Sequence, residues 1–547
     1  MPTPSLFRRI LFLLVTLSIT STTYLYLYPV FHGCAFPSPR TSPARAFLHT
    51  IAQHTGLRSH SAADIAPFRL LALGDPQLEG DSSLPDAGLH HFPSLENLST
   101  DIVAAQSWGA RAKVLRACLE QLGNDDIPSV LRFYRKRLDL LGNDYYLAHI
   151  YRTLYWWSGP THVTVLGDLI GSQWVTDEEF ARRGRRYWGR VVRQGVRVDD
   201  EITGHAGQEV LGADERWRKR VINVAGNHDV GYAGDMTEER LDRFERVFGK
   251  ANWEITFRAE SADNSTTSSA HTDPDVPELR IVVLNSLNLD VPALDASLQQ
   301  QTYDYLNEVI TTSHPVGDRK SATVLLTHLP LHKAAGTCVD DPLIVFHDPE
   351  HGAGVREQNH LSPHASNSIL QGLYGMSADP DAPGSGLGRN GIILTGHDHE
   401  GCDVYHHLPT AAVDGEDRTW NATRWRSAAA LVRHRSLPGI REITVRSMMG
   451  DFEGNAGLLS AWFDEGVGEW RFEYGSCKVG VQHFWWAVHV LDLLTVCAVV
   501  LVGAMGFWKR MASRDGFFGT GVKVKVKGGE DSKRGAVSPV GEAGKLS

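Results

Sequence analysis

Short apolar runs that end in polar residues recur along the chain. They are 68–73 before Gly74-Asp75, 162–166 before Gly167-Asp168, 221–225 before Gly226-Asn227-His228-Asp229, 323–327 before His328, and 391–395 before Gly396-His397-Asp398-His399. Buried strands of an α/β sheet have this pattern, and such sheets collect ligands at the carboxyl ends of their strands. A glycine before the polar residue suits a tight turn close to a site. The pattern therefore predicts an α/β fold whose strands deliver metal-type ligands to one place.

Two longer apolar segments interrupt this pattern. Residues 10–28 follow an Arg pair, and residues 484–508 precede a Lys-Arg pair. Both are long enough to span a bilayer as helices. The alternative for the first is a cleaved signal peptide. The apolar run continues through Tyr28 without a small-residue cleavage site, which favours an uncleaved signal anchor. The polar tail after the second segment excludes a GPI-anchor signal there.

The charges beside these segments predict how the chain is arranged. Basic residues mark the cytoplasmic side of a span, so both termini, 1–9 and 509–547, are predicted to be cytoplasmic, the second as a disordered tail. Residues 33–66 are rich in Pro, Ser, Ala and His and are predicted to be a luminal linker. Residues 67–478 are the predicted luminal enzyme domain. Within it, apolar residues recur at helical spacing over 101–157, which predicts a helical insertion.

Composition and charge limit the classes of function. The 547-residue chain is 42% hydrophobic and 22% charged, as globular proteins are, and its formal net charge of -10 argues against a nucleic-acid partner. Three Asn-x-Ser/Thr sequons, at Asn97, Asn264 and Asn421, lie between the apolar segments and are predicted glycosylation sites. Five of the six cysteines lie there too. Because five is odd, at least one of them has no internal disulfide partner.

In their order along the chain, the polar motifs resemble a known series. An Asp motif, Gly-Asp, Gly-Asn-His-Asp, a lone His and Gly-His-x-His make up the metal-binding series of the calcineurin-like metallophosphoesterase superfamily. Each motif alone is weak, since Gly-Asp after a strand is usually a turn. The five-part order is specific and covers residues 68–404. The resemblance implies a metallophosphoesterase β-sandwich flanked by helices, a four-layer αββα fold, with two transmembrane helices in addition.

The resemblance also implies a role for each motif residue. The implied ligands are Asp75 and His399 for a first divalent ion, Asn227, His328 and His397 for a second, and Asp168 as the bridge between both. A carboxylate can bridge two cations, while neutral imidazole and amide ligands add no negative charge. Two such ions activate water and clamp the oxygens of a phosphate ester. His228 would stabilise or protonate the leaving group, and Asp229 would orient its imidazole.

One position departs from the series. The superfamily has His two residues after its first Asp, whereas this chain has Asp75-Pro76-Gln77. An amide oxygen is a harder and weaker ligand than imidazole and should shift the first site towards Mn2+ and away from zinc. The alternative is that Gln77 does not bind and that water takes its place. The predicted cofactors are two divalent ions, Mn2+ in particular.

Four stretches resemble the fungal members of one eukaryotic branch of the superfamily. They are Gly74-Asp-Pro-Gln-Leu-Glu-Gly80, Gly167-Asp-Leu-Ile-Gly-Ser-Gln-Trp174, Arg356-Glu-Gln-Asn-His-Leu-Ser362 and Gly396-His-Asp-His-Glu-Gly-Cys-Asp403. Members of this branch are endoplasmic-reticulum phosphodiesterases that remove ethanolamine phosphate from a mannose of the GPI anchor glycan. The resemblance favours the group acting on the second mannose, with the group acting on the first as the alternative. It implies an enzyme of the endoplasmic-reticulum membrane that supports maturation and export of GPI-anchored proteins.

The same resemblance sets the expected partners and the competing functions. The partners are GPI-anchored proteins as substrates, the lipid bilayer and receptors for cargo export. Arg356, Asn359 and His360 precede the last motif and are predicted to line the substrate pocket, the alternative being a polar surface loop. Two other functions stay open. One is a luminal Mn-dependent phosphatase of broader specificity, and the other is a weakly active cargo-binding scaffold, which Gln77 would favour.

Overall fold

The computed structural model describes residues 4–56, 64–85, 92–259, 276–338, 341–408, 420–433 and 439–515. Its strands are β1 Phe68–Leu73, β2 His162–Val165, β3 Val196–Arg197, β4 Gly207–Val210, β5 Arg220–Asn223, β6 Trp253–Arg258, β7 Glu278–Leu284, β8 Ser321–Thr327, β9 Ile344–Phe346, β10 Val355–Gln358, β11 Asn390–Thr395, β12 Cys402–His407, β13 Asn421–Arg424, β14 Gly439–Thr444, β15 Asn455–Asp464 and β16 Glu469–Lys478. All five predicted strands are among them, as β1, β2, β5, β8 and β11.

The helices vary widely in length. They are α1 Pro4–Tyr26, α2 Tyr28–Phe31, α3 Pro43–Thr55, α4 Pro93–Glu96, α5 Leu98–Ala104, α6 Trp108–Gln121, α7 Ile127–Ser158, α8 Asp177–Arg186, α9 Asp200–Thr203, α10 Asn227–Val230, α11 Glu238–Phe248, α12 Ala296–Thr311, α13 Pro363–Asn367, α14 Trp425–Arg433 and α15 Gln482–Asp515. The stretch 101–157 contains α6 and most of α7, which a π-helical turn joins. The chain forms two compact units, one of residues 19–489 and one of the described parts of 1–18 and 490–547.

Two large sheets form the centre of the larger unit. The first has the strand order β16-β15-β1-β2-β5-β3, and the second has the order β13-β12-β14-β11-β8-β7-β6-β4. Strands β1, β2 and β5 run parallel to one another, as do β14, β11, β8 and β7. Parallel neighbours place their carboxyl ends along one edge of a sheet, and this edge carries the predicted ligands.

Alternating side chains make these sheets a sandwich. Leu70 of β1, Val283 of β7 and Leu326 of β8 belong to one buried apolar cluster, which therefore lies between the sheets. Leu71 of β1 points to the opposite face and joins a second cluster that includes residues of α7, α8, α11 and α12. Each sheet thus has one face on its partner sheet and one face under helices. The predicted αββα architecture is confirmed.

Two of the described helices are long and apolar enough to cross a membrane. They are Leu6–Tyr26 within α1 and Gln482–Met511 within α15. These ranges overlap the predicted spans 10–28 and 484–508. A length of about 20 apolar residues is what a helix needs to cross the hydrocarbon core of a bilayer. The prediction of two transmembrane helices is therefore confirmed at the level of helix length and composition.

The segment 33–66 differs from the predicted linker, because its described part is packed on the domain. Pro43 begins α3, and Gly56, with a φ of 69°, ends it in the left-handed conformation. Cys34 forms a disulfide with Cys477 of β16, 443 residues away. Phe36 is buried. The Pro- and Ser-rich composition suggested a linker between the first helix and the domain, but the disulfide and these buried side chains hold its described part on the domain.

The remaining cysteines and the sequons agree with the sequence-based predictions that the structure describes. A second disulfide joins Cys338 to Cys402, and Cys118 is free and buried. One of the five cysteines between the apolar segments is thus left over, as the odd number required. Asn97 and Asn421 are exposed, as glycosylation needs. Asn264 lies outside the described residues.

Candidate metal centre

The predicted ligands come together at the carboxyl ends of the parallel strands. In the first sheet, Asp75 follows β1, Asp168 follows β2 and Asn227 follows β5. In the second sheet, His328 follows β8 directly, and the Gly-His-Asp-His turn follows β11. The two sheets face each other across the sandwich, so ligands from both meet at one end of it. Strand order, rather than sequence proximity, therefore assembles the site.

The side chains form two groups that share one carboxylate. Asp168, His328 and His397 offer ligand atoms that all lie within 4.8 Å of one another, and so do Asp75, Asp168 and His399. Asp168 is the only member of both groups among the described residues. This arrangement fits two divalent ions with Asp168 between them, since carboxylate oxygens and imidazole nitrogens suit such ions and a carboxylate can bridge.

One half of the centre, which we call the second half, is built from His328, Asn227 and His397. The Nδ1 atom of His328 lies 2.7 Å from the carbonyl oxygen of Leu166 and donates to it, which leaves Nε2 free to face the site. The Asn227 Oδ1 atom lies 3.0 Å from His328 Nε2 and 3.0 Å from His397 Nδ1. Three donor atoms from three strand ends thus converge on one point.

The other half, the first half, is built from Asp75, His399 and Gln77. The Asp75 Oδ1 atom accepts a hydrogen bond from the backbone N–H of His397 at 2.9 Å. Within the described residues, its Oδ2 atom is buried without a hydrogen-bond partner, as expected of a carboxylate oxygen reserved for a cation. The ring of His399 packs edge-on against Phe452, with centroids 5.0 Å apart.

Gln77, the departure from the superfamily series, reaches into the first half. Its side-chain amide nitrogen lies 3.1 Å from Asp168 Oδ2 and 3.1 Å from His399 Nε2. Rotation of the amide by half a turn would place the carbonyl oxygen at the same point, because the two ends of an amide have nearly the same shape. The side chain therefore has the reach of a ligand, whichever of the two sequence-based interpretations holds.

Backbone strain is concentrated at this centre. Four of the nine described non-glycine residues with positive φ are Asp75, Gln77, Asp168 and His397. Such residues are uncommon, and they cluster where function holds them in place. A neighbouring glycine at the centre is needed for close approach. A Cβ atom on Gly226, which precedes Asn227, would lie 2.1 Å from the backbone nitrogen of Asp168.

Burial sets the charge states of the candidate ligands. It lowers the pKa of His397 to about 3 and also lowers the pKa values of His328 and His399. Burial, and then the neighbouring Asp168, raise the pKa of Asp75 well above its ordinary value. Burial opposes ionisation of Asp168 as well, but the surrounding imidazoles hold its pKa below the ordinary value. Neutral imidazoles beside two crowded carboxylates form a donor set that cations would stabilise.

His228 and Asp229 lie where the sequence placed them, but the predicted contact between them is wrong. His228 has a side chain that is 37% exposed, with Nε2 3.9 Å from Asp168 Oδ2, so it borders the centre from the solvent side. The fully buried Asp229 carboxylate accepts hydrogen bonds from the backbone N–H groups of Leu169, Ile170 and Gly226. Asp229 therefore positions the loops that carry the ligands rather than the imidazole of His228.

The three predicted substrate contacts differ in their exposure to solvent. Arg356 and Asn359 are exposed on and beside β10, and the Asn359 side chain donates to the carbonyl of Pro342 at 3.1 Å. His360 is only 1% exposed and lies beside the buried Lys333–Glu442 ion pair. A side chain enclosed in this way does not line a solvent-accessible pocket, contrary to the prediction for His360. Its polar character suggested a substrate contact, but burial gives it interior neighbours.

Sequence reasoning missed two residues that hold the ligands. Ser447 donates from Oγ to the carbonyl of Asp75 at 3.2 Å and from its backbone nitrogen to the carbonyl of His399 at 3.1 Å. The backbone of Gln358 hydrogen-bonds the ring of His397 and the hydroxyl of Tyr232. Ser447 follows β14, the next parallel strand, so the strand-end pattern was the signal that could have found it. Gln358 acts through its backbone, which leaves no sequence signal.

Comparison with known proteins shows which family the chain resembles. The chain is 33% identical over 436 residues to protein TED1 of Saccharomyces cerevisiae, covering 68% of this chain and 82% of that protein. It is 25% identical over 402 residues to an uncharacterised protein of Schizosaccharomyces pombe, with the same coverage of 68% and 82%. It is 24% identical over 276 residues to metallophosphoesterase 1 of Cricetulus griseus, covering 49% of this chain and 57% of that protein.

Other comparisons add less. No protein-family model matches the chain. The chain was also compared with the crystal structure of a dimetal phosphatase from Danio rerio. The alignment covers 76% of this chain and 98% of that chain at 10% sequence identity. The TM-score of 0.30 is too low to support a common fold. The geometry and the yeast relative carry the assignment. The chain is a metal-dependent phosphoric ester hydrolase that belongs to the calcineurin-like metallophosphoesterase superfamily, in the fungal GPI-remodelling branch predicted from its motifs.

Proposed function

We propose that this enzyme is a phosphodiesterase that removes ethanolamine phosphate from a mannose, the second one, of the GPI anchor glycan. Its substrates would be GPI-anchored proteins, and it would support their maturation and export from the endoplasmic reticulum. Cargo-export receptors would be further partners. The observation that carries the proposal is the pair of ligand groups joined at Asp168. The branch-specific stretches around Asp75, Asp168 and His397 supply the substrate class.

In the proposed reaction, the residues at the centre would hold the metal ions, orient the ligand loops and protonate the leaving oxygen. Divalent ions held by the two ligand groups would supply an activated water and neutralise charge on the phosphate oxygens. Water would form the new bond to phosphorus while the bond from phosphorus to the mannose oxygen breaks. His228, exposed at the edge of the centre, is placed to give a proton to that leaving oxygen. Asp229 would hold the loops of Asp168 and Asn227 still during the reaction.

We propose Mn2+ as the metal. In the first half of the centre, Gln77 offers an amide oxygen where the superfamily offers imidazole. Oxygen ligands suit Mn2+, whereas imidazole suits zinc. The second half has two imidazoles and one amide oxygen, whereas the first half has the Asp75 carboxylate, one imidazole and one amide oxygen. Oxygen donors therefore predominate in the first half.

We propose that the enzyme lies in the membrane of the endoplasmic reticulum, with a luminal catalytic domain and cytoplasmic termini. Apolar helices of spanning length lie on either side of the catalytic domain in the sequence. Two anchors would hold the domain at the bilayer surface, where a lipid-linked glycan is also confined, and would raise its effective concentration. The exposed Asn97 and Asn421 support glycan attachment on that side.

One assay separates this proposal from its alternatives. The full chain, purified in detergent and loaded with Mn2+, is incubated with a GPI-anchored protein whose second mannose carries ethanolamine phosphate, and the glycan is read by mass spectrometry. The same protein modified on the first mannose is the matched substrate. We expect loss of the group from the second mannose only. Turnover of unrelated phosphomonoesters with an unchanged glycan would instead establish a broad phosphatase. Binding of the GPI-anchored protein without any hydrolysis would establish a scaffold.

A further inference from the structure

A cavity of about 580 Å3 lies within the larger unit, where its two apolar helices meet the domain. It is lined by the end of α1, the second half of α7 and the start of α15. Tyr26 is the last residue of α1, and Trp485 is in the first turn of α15. Both positions are at the domain-facing ends of the spanning segments. The cavity is therefore lined by residues at the domain-facing ends of the two helices of spanning length, and none of the predicted metal ligands lines it.

Large aromatic side chains give the cavity an apolar wall. Tyr26, Tyr145 and Trp156 line it and are 44%, 46% and 51% exposed. Aromatic rings with one polar end concentrate at the membrane interface, where acyl chains meet headgroups. A volume of this size falls within the range of about 300–1,000 Å3 that holds small-molecule ligands. The wall thus suits a molecule that brings an apolar chain.

Two residues that line the cavity each carry a buried polar atom that has no hydrogen-bond partner among the described residues. The atoms are Nε2 of His149 and Nε1 of Trp485. These side chains are only 5% and 7% exposed. The other ring nitrogen of His149 is 3.3 Å from the hydroxyl of Thr153, so Nε2 is the atom left for a ligand. Buried polar groups normally have partners, and two orphans that line one cavity indicate a polar group that enters it.

The charges around the cavity select the kind of polar group. Arg152 lines it, together with His149 and His489, and none of the described residues that line it is acidic. The indole N–H of Trp485 is a donor only, and a guanidinium has five donors. Burial lowers the pKa of His149 to about 4, so it acts as a neutral hydrogen-bonding group at neutral pH. A cavity with donors, one permanent positive charge and an aromatic wall complements a phosphate that carries an acyl chain.

We propose that this cavity binds one anionic glycerophospholipid of the surrounding bilayer. The phosphate is held by Arg152, His149 and Trp485, and an acyl chain lies along Tyr26, Tyr145 and Trp156. The site is separate from the metal centre and does not depend on which phosphate ester the enzyme cleaves. A lipid held here would add a contact between the domain and the bilayer to those made by the two helices.

The test counts lipids on the intact protein. The full chain in mild detergent is titrated with phosphatidylinositol or with phosphatidylcholine and examined by native mass spectrometry. We expect one phosphatidylinositol per chain, bound about tenfold more tightly than phosphatidylcholine, because phosphatidylcholine carries the same phosphate but adds a choline ammonium, which the positive charge of Arg152 repels. Arg152→Gln should remove the preference for phosphatidylinositol, and His149→Phe should weaken binding of both lipids by about tenfold.

The control variant is Arg135→Gln, on the same helix α7 but outside the cavity, where the arginine side chain is 85% exposed. It should bind phosphatidylinositol like the wild type. Arg152 is also exposed, so we expect Arg152→Gln to fold. It therefore tests the proposal even if the buried substitution His149→Phe prevents folding. Equal affinity for both lipids, binding without a one-to-one limit, or Arg152→Gln behaving like the control would each overturn the proposal.

Discussion

The two halves of the metal centre share Asp168 but are built differently. In the second half, His328 is completely buried and its ring is fixed by the carbonyl of Leu166. In the first half, Gln77 and His399 are partly buried, as His397 is in the second half, and the donors are one carboxylate, one imidazole and one amide instead of two imidazoles and one amide. Preorganised imidazoles with fixed tautomers bind metal more tightly than adaptable amides. From this difference we expect the second position to bind metal more tightly than the first.

Removing the shared carboxylate should abolish the difference by disabling both halves. We expect Asp168→Asn to lower kcat for the phosphodiester by at least about 10³-fold, because two metals contribute several kcal/mol to the transition state and 1.36 kcal/mol is tenfold in rate. Asp139→Asn, at an exposed position on α7, should keep full activity. Steady-state kinetics on the glycan substrate measure both. An Asp168→Asn enzyme that still turns over would contradict the assignment of the bridge.

Removing the proton donor should leave both halves intact. His228→Ala should reduce kcat by about 10²–10⁴-fold, the usual contribution of a general acid, while metal content stays at the wild-type value. His364→Ala, at an exposed site on α13, is the matched histidine control. Kinetics with elemental analysis of the same samples separate chemistry from metal binding. Equal loss of activity and of metal would make His228 a ligand instead.

Loosening the loop support should weaken both halves without removing a ligand. Asp229→Asn replaces one of the two accepting oxygens by an NH2 group, so at least one of the backbone N–H groups of Leu169, Ile170 and Gly226 loses its acceptor. We expect metal affinity to fall by about 10–100-fold, as it does when residues behind a ligand are changed. The free energy of unfolding should fall by about 1–3 kcal/mol, because buried N–H groups lose their partner. Metal titration and urea denaturation measure the two effects. Unchanged metal affinity would show that Asp229 serves folding alone.

Replacing Gln77 by histidine should reduce the difference in metal affinity between the two halves. Gln77→His restores imidazole to the first half, and we expect about tenfold tighter zinc binding there, with little change in the second half. Graded removal of metal by a chelator, followed by elemental analysis, should release one ion early from the wild type and both ions together from the variant. Simultaneous release of both ions from the wild type would show that the halves do not differ.

The sequence predicted the sandwich and the ligand set for a definite physical reason. Parallel strands are short apolar runs, and the residues after them share one edge of a sheet, so order along the chain translates into proximity. This holds for Asp75, Asp168 and His328, which lie next to strands that the apolar pattern located. The role of the motif glycines in close backbone approach was also predictable, and Gly226 indeed has no room for a side chain beside Asp168.

Features that depend on tertiary neighbours were not predictable in the same way. Asp229 follows His228 in sequence, yet its carboxylate turns towards the backbone of the Asp168 loop. The disulfide between Cys34 and Cys477 joins distant residues, and it keeps a segment with linker composition on the domain. His360 has the character of a substrate contact but is buried. In each case the deciding neighbour is remote in sequence.

The most direct test of the account is anomalous diffraction from crystals of the Mn2+-loaded enzyme, recorded at the manganese absorption edge. We predict two peaks on opposite sides of the Asp168 carboxylate. The peak beside His328 and His397 should refine at full occupancy, and the peak beside Asp75 and Gln77 should refine at lower occupancy. A single peak, or peaks that do not contact Asp168, would contradict the central claim that two unequal metal positions share this residue.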